Sequence, residues 1–181
     1  MPEYSDKDLL QMFREDDKSN YAFNLIIRKY QERVYWHIRK ILLNHEDTND
    51  VLQNTFIKVW KGLSSFREES QLYTWLFRIA TNESLSFLKK RRTRLFIPID
   101  VQDQMINNLK SDAYFDGGEM EIEFQKALLD LPAKQRIVFN MKYFDDMKYE
   151  EISGVLNTSV GALKASYHHA VKKIRKYLEE N

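Results

Sequence analysis

His168 and His169 stand side by side in the run YEEISGVLNTSVGALKASYHHAVKKIRKYL. A metal site on a helix takes ligands at i and i+3 or i+4, backed by carboxylates or further histidines. Adjacent histidines diverge around a helix, and the other two, His37 and His45, lie in the other half of the chain. The pair therefore reads as surface or DNA-flanking residues. Asp145-Asp146 and Glu150-Glu151 fall at a loop and a helix start, where acids suit the helix dipole without doing chemistry. The chain has no cysteine, which excludes disulfides and thiolate-metal sites and fits a reducing cytoplasm. No glycine-rich phosphate cradle occurs, so nucleotide hydrolysis lacks its usual loop. No catalytic residue, metal or cofactor is expected; the chemistry that this sequence can carry is recognition.

Two constellations point to nucleic acid. In SSFREESQLYTWLFRIATNESLSFLKKRR, residues 64–92, the rings of Phe66, Tyr73, Trp75 and Phe77 interleave with Arg67, Arg78, Lys89, Lys90, Arg91 and Arg92. Rings on which bases stack and cations that meet phosphates suit unpaired DNA. Trp75 shares an apolar stripe with Leu76, Ile79 and Ala80 and is assigned to the core, whereas Tyr73 and Phe77 lie off the stripe centre and are expected to be exposed. The second constellation has the grammar of a helix-turn-helix: a helix over 149–156, a turn at Asn157-Thr158-Ser159, and a helix over 159–178. Asn157 tolerates the left-handed turn conformation, and Ser159 can cap the second helix. Ile152, Leu156, Val160, Leu163, Val171, Ile174 and Leu178 form the expected buried seam. The opposite stripe, Ala162, Ala165, Ser166, His169 and Lys173, is small near its start and basic further on, as a helix entering a major groove requires. The same spacing also fits an ordinary helical hairpin with a solvated lysine face.

The elements that must position these residues are helical. Glycine and proline number five and three, and apolar residues recur at three- and four-residue intervals almost throughout. Over 50–61, Val51, Leu52, Phe56, Val59 and Trp60 share one face, with Asp50, Gln53, Asn54 and Lys61 on the other. Gly62 is expected to end that helix in a left-handed conformation, and Ser70 to cap the next. Helices are also expected over 6–14, 21–43, 122–130 and 133–144, the last entered through Pro132.

The net charge is only +1, yet it is unevenly distributed. Residues 78–94 hold six bases against one acid, and 160–181 five against two, while 1–20 hold six acids against three bases and 95–123 seven against one. Only the basic blocks can meet phosphates. The fold class expected is all-α, two small helical domains (1–94 and 121–181) joined by an acidic flexible linker (95–120), the second domain a helix-turn-helix. No signal peptide or membrane span is expected, and the chain reads as cytoplasmic.

The two constellations, in this order and joined by an acidic tether, resemble the extracytoplasmic-function sigma factors of the bacterial sigma-70 family. DVLQNTFIKVWKGLSSF and YTWLFRIATNESLSFLKKRR are similar to segments of that family's first domain. LPAKQRIVFNMKYF and YEEISGVLNTSVGALKASYHHAVKKI are similar to segments of its second. The resemblance implies a promoter-recognition subunit, not an enzyme. It would bind core RNA polymerase at the clamp helices and flap, promoter DNA as duplex and as melted non-template strand, and an anti-sigma factor, with no insertion into a membrane. By the resemblance, Asp50, Gln53, Asn54, Phe56 and Trp60 would dock on polymerase. Gly62, Ser64, Ser65, Phe66, Arg67, Tyr73, Arg78, Asn82, Lys89, Lys90, Arg91 and Arg92 would meet the proximal, minus-ten DNA. Arg136, Ser159, Ala162, Lys164, Ala165, Ser166, His169, Lys172 and Lys173 would meet the minus-thirty-five element. The sequence departs from the family at Ser86, where an acid is usual, and at Ser166 and His169, where arginine is frequent. The other class of function that fits is a stand-alone helix-turn-helix regulator whose first domain senses or dimerises.

Overall fold

The computed structural model describes residues 4–94, 106–107 and 118–181, and every regular element among them is an α-helix. The first half comprises α1 (Asp6–Phe13), α2 (Ser19–Leu42), α3 (His45–Leu63) and α4 (Leu72–Arg94). The second comprises α5 (Glu119–Leu129), α6 (Ala133–Tyr143), α7 (Tyr149–Leu156) and α8 (Val160–Glu180). Most of the expected linker lies outside the described residues; at its end, α5 begins at Glu119, three residues before the spacing predicts.

Local chemistry sets the boundaries. Ser5 and Asp8 close a capping box on α1, with the Ser5 amide donating to Asp8 at 2.9 Å and the Asp8 amide to the Ser5 hydroxyl at 3.2 Å. Asn44 caps α3 by accepting from the Asp47 amide at 2.8 Å. Leu43, between α2 and α3, holds a left-handed φ of 52°. Such a conformation costs a leucine about 1–2 kcal/mol, which the burial of its side chain against Ile106 and Leu129 offsets.

Two expected boundaries are corrected. Gly62 does not end α3 in a left-handed turn; it lies inside the helix, which runs on to Leu63. What the position requires is space: a β-carbon there would stand 3.1 Å from the Trp75 ring. Ser70 lies one residue too early to cap α4, which starts at Leu72, so that Gln71 takes the cap position and its carbonyl accepts from the Trp75 amide at 3.2 Å. Pro132 sits at the cap of α6, immediately before its first residue.

One apolar core joins the two halves. Ile26, Val34, Ile38, Val59, Leu72, Leu76, Phe77 and Ala80 of α2–α4 pack in the same cluster as Ile137, Val138, Met141, Met147, Ile152, Val155 and Leu163. A smaller cluster inside the second half gathers Ala127, Leu128, Leu131, Phe139, Ala170 and Ile174.

Candidate nucleic-acid interface

On α3 the helical spacing sorts the residues as expected: Val51 and Val59 are buried while Asp50, Gln53 and Asn54 point outward. Phe56, expected by the resemblance among the docking residues, instead faces inward. Its ring is buried and packs edge-on against Phe23 at 6.4 Å, as its place on the apolar stripe dictates. Trp60 is the boundary residue, exposed on one side and held edge-on by Phe13 and Phe23 at 5.2 and 4.9 Å on the other.

After α3 the chain turns through 64–71, with Ser64, Ser65 and Arg67 exposed. Arg14 braces this loop from α1's end, donating to Glu68 at 2.7 Å, where Glu68 holds a left-handed φ of 58°. Phe66 is not available to stack on a base, because it is buried against Trp75 at 4.9 Å. The sorting of α4 is likewise corrected: Tyr73 and Phe77 are buried, at 8% and 1% exposure, with their rings 4.2 Å apart. Arg33 lies over the Tyr73 ring at 4.3 Å and His37 against Phe77 at 4.5 Å. Burial pushes the Tyr73 phenol up to about 12, with Asp145 adding to the rise and Arg33 opposing it. Further along, Asn82, Lys89 and Lys90 are exposed, and Arg91 pairs with Asp47 of α3 at 2.5 Å. The Arg92 side chain lies outside the described residues.

In the second half α7, the turn and α8 form the helix-turn-helix. Asn157 takes the left-handed turn at φ 51°, ψ 48°, and the Ser159 hydroxyl caps α8 by accepting from the Ala162 amide at 3.3 Å. Ala162, Ala165, His169, Lys172 and Lys173 lie along one exposed side of α8 with Ser166 half-buried beside them, while Lys164, also exposed, lies further round the helix with its Nζ 5.8 Å from the Tyr149 ring. Nothing stands within 4 Å of where a β-carbon on Gly161 would be, so the start of α8 is clear for a close approach. Arg136 is drawn inward, its Nη1 3.5 Å from the Leu129 carbonyl, and burial lowers its pKa. Leu178, assigned to the seam, is exposed instead. The His168 and His169 rings stand 6.0 Å apart, and among the described residues no three His, Cys, Asp or Glu gather as a metal would require.

Two protein-family models match this chain, sigma-70 region 2 over residues 26–94 and sigma-70 region 4 over 121–174. The first match covers the loop and basic helix, the second the helix-turn-helix. The chain belongs to the extracytoplasmic-function sigma factors. It is 29% identical over 168 residues to the ECF RNA polymerase sigma factor SigW of Bacillus subtilis, across 88% of this chain and 90% of that one. It is 26% identical over 184 residues to the ECF RNA polymerase sigma-E factor of Haemophilus influenzae, across 97% and 96%. Among solved structures the fold is similar to CnrH in complex with the cytosolic domain of CnrY, with a TM-score of 0.70 at 19% identity over 96% of each chain. It is also similar to the sigma factor RpoE in complex with the anti-sigma factor NepR from Bartonella quintana, with a TM-score of 0.66 at 21% identity over 87% of this chain and 96% of that one. Promoter recognition as a sigma factor is its function; a region 2 match over the first half leaves no support for a sensing or dimerising domain there.

Sequence reasoning missed the polar contacts that join the sigma factor's two halves. Asp145, read as a plain loop acid, is buried at 8% side-chain exposure and binds two groups of α2. His37 Nδ1 lies 3.0 Å from its Oδ2, and Lys40 Nζ donates to its Oδ1. On its other side His37 Nε2 lies 2.8 Å from the Thr81 hydroxyl, which donates to the Phe77 carbonyl at 2.7 Å. With that hydroxyl hydrogen committed, the network is complete when His37 carries both ring protons. Burial alone would raise the Asp145 pKa, but the hydrogen bond and charge of His37, with Lys40, outweigh it and hold the carboxyl below 3.8. No local signal announces a pair separated by 108 positions.

Proposed function

We propose that this sigma factor divides its labour among three surfaces. Asp50, Gln53, Asn54 and the open edge of Trp60 bind core RNA polymerase through its clamp helices. Ser64, Ser65, Arg67, Arg78, Asn82 and Lys89 to Arg92 meet the minus-ten region, as duplex and as melted non-template strand. Ala162, Lys164, Ala165, Ser166, His169, Lys172 and Lys173, with Ser159 at the helix start, meet the minus-thirty-five element. Domains over 1–94 and 121–181 carry the first two surfaces and the third, with 95–120 as the tether. Tyr73 and Phe77 contribute by shaping α4 rather than by stacking on bases, and Phe56 and Phe66 by packing. The protein works in the cytoplasm, takes no cofactor and hydrolyses nothing. The flap of polymerase and an anti-sigma factor are its further partners.

The observation that supports this most is the open, small-then-basic surface of α8 on a serine-capped helix start. Small residues admit the backbone to a groove, and free amides and lysines hold phosphates on either side. Melting must overcome stacking of about 1.4 kcal/mol per base step. Captured bases supply about 1–3 kcal/mol each, and polymerase contacts supply the rest.

Sheared genomic DNA mixed with this protein, core polymerase or both, followed by sequencing of heparin-resistant complexes, tests the reading. Fragments sharing two short motifs about 25 base pairs apart are expected only when both proteins are present. Equal enrichment by this protein alone would instead make it a free-standing DNA-binding protein.

A further inference from the structure

A cleft of about 590 Å³ opens between α2 and the second half, within the range of about 300–1,000 Å³ that small-molecule sites occupy. Arg33, Trp36 and Lys40 line it from α2, Tyr73 from α4, and Phe144 and Asp145 from the turn after α6. Two of its large rings stay open to solvent, Trp36 at 43% and Phe144 at 37% exposure. Tyr73 is the decisive residue. It is 8% exposed, and its hydroxyl, shut off from solvent, has no hydrogen-bond partner. Buried polar groups are nearly always paired, so an orphan marks a partner that is missing. Burial pushes this phenol up to about 12, so at neutral pH the O–H keeps its proton and can donate. The Arg33 guanidinium lies over the same ring at 4.3 Å, close enough to oppose that rise but outside hydrogen-bond geometry, and it enters no ion pair among the described residues. The other charges of the lining are spent, because Asp145 binds both Lys40 and His37, or opposed, because Glu32 stands exposed beside Arg33.

We propose that this cleft binds a small aromatic monocarboxylate, its carboxylate accepting from the Tyr73 hydroxyl and the Arg33 guanidinium and its ring lying against Trp36 and Phe144. A carboxylate gives the hydroxyl its acceptor and Arg33 its counter-charge, and a guanidinium takes a carboxylate through two parallel hydrogen bonds. A flat ring set offset or edge-on to Trp36 and Phe144 gains from ring contact as well as from burial. Glu32 limits the charge. With Lys40 already committed to Asp145, a second anionic group on the ligand would meet the Glu32 carboxylate and find no free cation in the lining. The class is therefore a monoanion with a ring, not a phosphate ester or a dicarboxylate. Arg33, Trp36 and Phe144 belong to none of the three surfaces proposed above, so this site stands or falls apart from them.

Calorimetric titration of the full chain with cinnamate tests this, with cinnamamide as the neutral comparison and terephthalate as the dianionic one. Cinnamate is expected to bind saturably, with a Kd of about 1 mM or tighter, and about tenfold more tightly than either comparison. Arg33→Gln is expected to weaken cinnamate binding about tenfold, and Tyr73→Phe about fivefold. Tyr73→Phe carries a second readout. Because it removes a hydroxyl that has no partner, the ligand-free variant is expected to keep the wild-type Tm or exceed it while binding is lost. Absence of saturable binding, equal binding of cinnamamide or terephthalate, or cinnamate binding unchanged by Arg33→Gln and Tyr73→Phe would overturn the proposal. So would a ligand-free Tyr73→Phe protein whose Tm drops by several degrees, since the hydroxyl would then already have its partner.

Discussion

Replacing Asp145 by alanine removes one carboxylate and strands two partners. His37 is 1% exposed and cannot turn to water, whereas the Lys40 side chain keeps 21% exposure and recovers part of its hydration. Breaking a fully buried ion pair costs about 3–5 kcal/mol, and a hydrogen bond to a charged group about 1.5–3 kcal/mol. With one partner partly solvated, the expected loss is about 2–4 kcal/mol. At roughly 2–4 °C per kcal/mol for a chain of this size, Tm falls on the order of 10 °C. Because Asp145 belongs to the second half and its partners to the first, the loss falls on the joint between them. Calorimetry is expected to resolve the single transition into two. The pH profile has a fixed sign. A carboxyl whose folded pKa lies below its ordinary 3.8 contributes stability that is fully present above that value and is lost as pH falls through the folded pKa. Arg33, Lys148 and Tyr73 line the same cleft, with Glu151 and Asp146 as opposing charges. Wild-type protein therefore loses the contact in strong acid, and Asp145→Ala shows a flatter acid limb. A Tm change under about 1 °C, with one cooperative transition retained, would refute the reasoning.

The remaining predictions separate surface from core. Gln53→Ala is expected to lower affinity for core polymerase with DNA contacts unchanged, as measured by fluorescence titration against purified core. Lys164→Ala is expected to weaken promoter binding by holoenzyme and to reduce the salt slope by about 0.9 per lost phosphate contact, measured by binding isotherms at several salt concentrations. Phe66→Ala is expected to cost about 3–5 kcal/mol of stability by opening a cavity beside Trp75, seen in urea unfolding.

Much of the fold is legible because its determinants are local. The cap at Ser159, the left-handed Asn157 and the outward face of Asp50, Gln53 and Asn54 follow from side-chain chemistry within one or two turns. What escaped depends on partners far along the chain. Tyr73 and Phe77 sit off the centre of the stripe of Trp75, Leu76, Ile79 and Ala80, so a single-helix reading exposes them. They are covered because α2 packs along that side of α4, with Arg33 over the Tyr73 ring and His37 against Phe77. Gly62 carries the residue type of a helix end but serves as clearance for a ring thirteen positions on. Asp145 resembles any loop acid until His37 and Lys40 are brought beside it. The family resemblance reaches the DNA and polymerase surfaces but carries no sign of the contact between the domains, in which Arg78 of the expected DNA surface donates to the Gly154 carbonyl.

Run-off transcription on a promoter-bearing template tests the central claim most directly. Purified core polymerase with this protein is expected to give a discrete transcript from one start site, absent with either component alone and without any hydrolysable cofactor beyond the substrate nucleotides. No transcript from the combination, on templates that the pair binds in heparin, would contradict it.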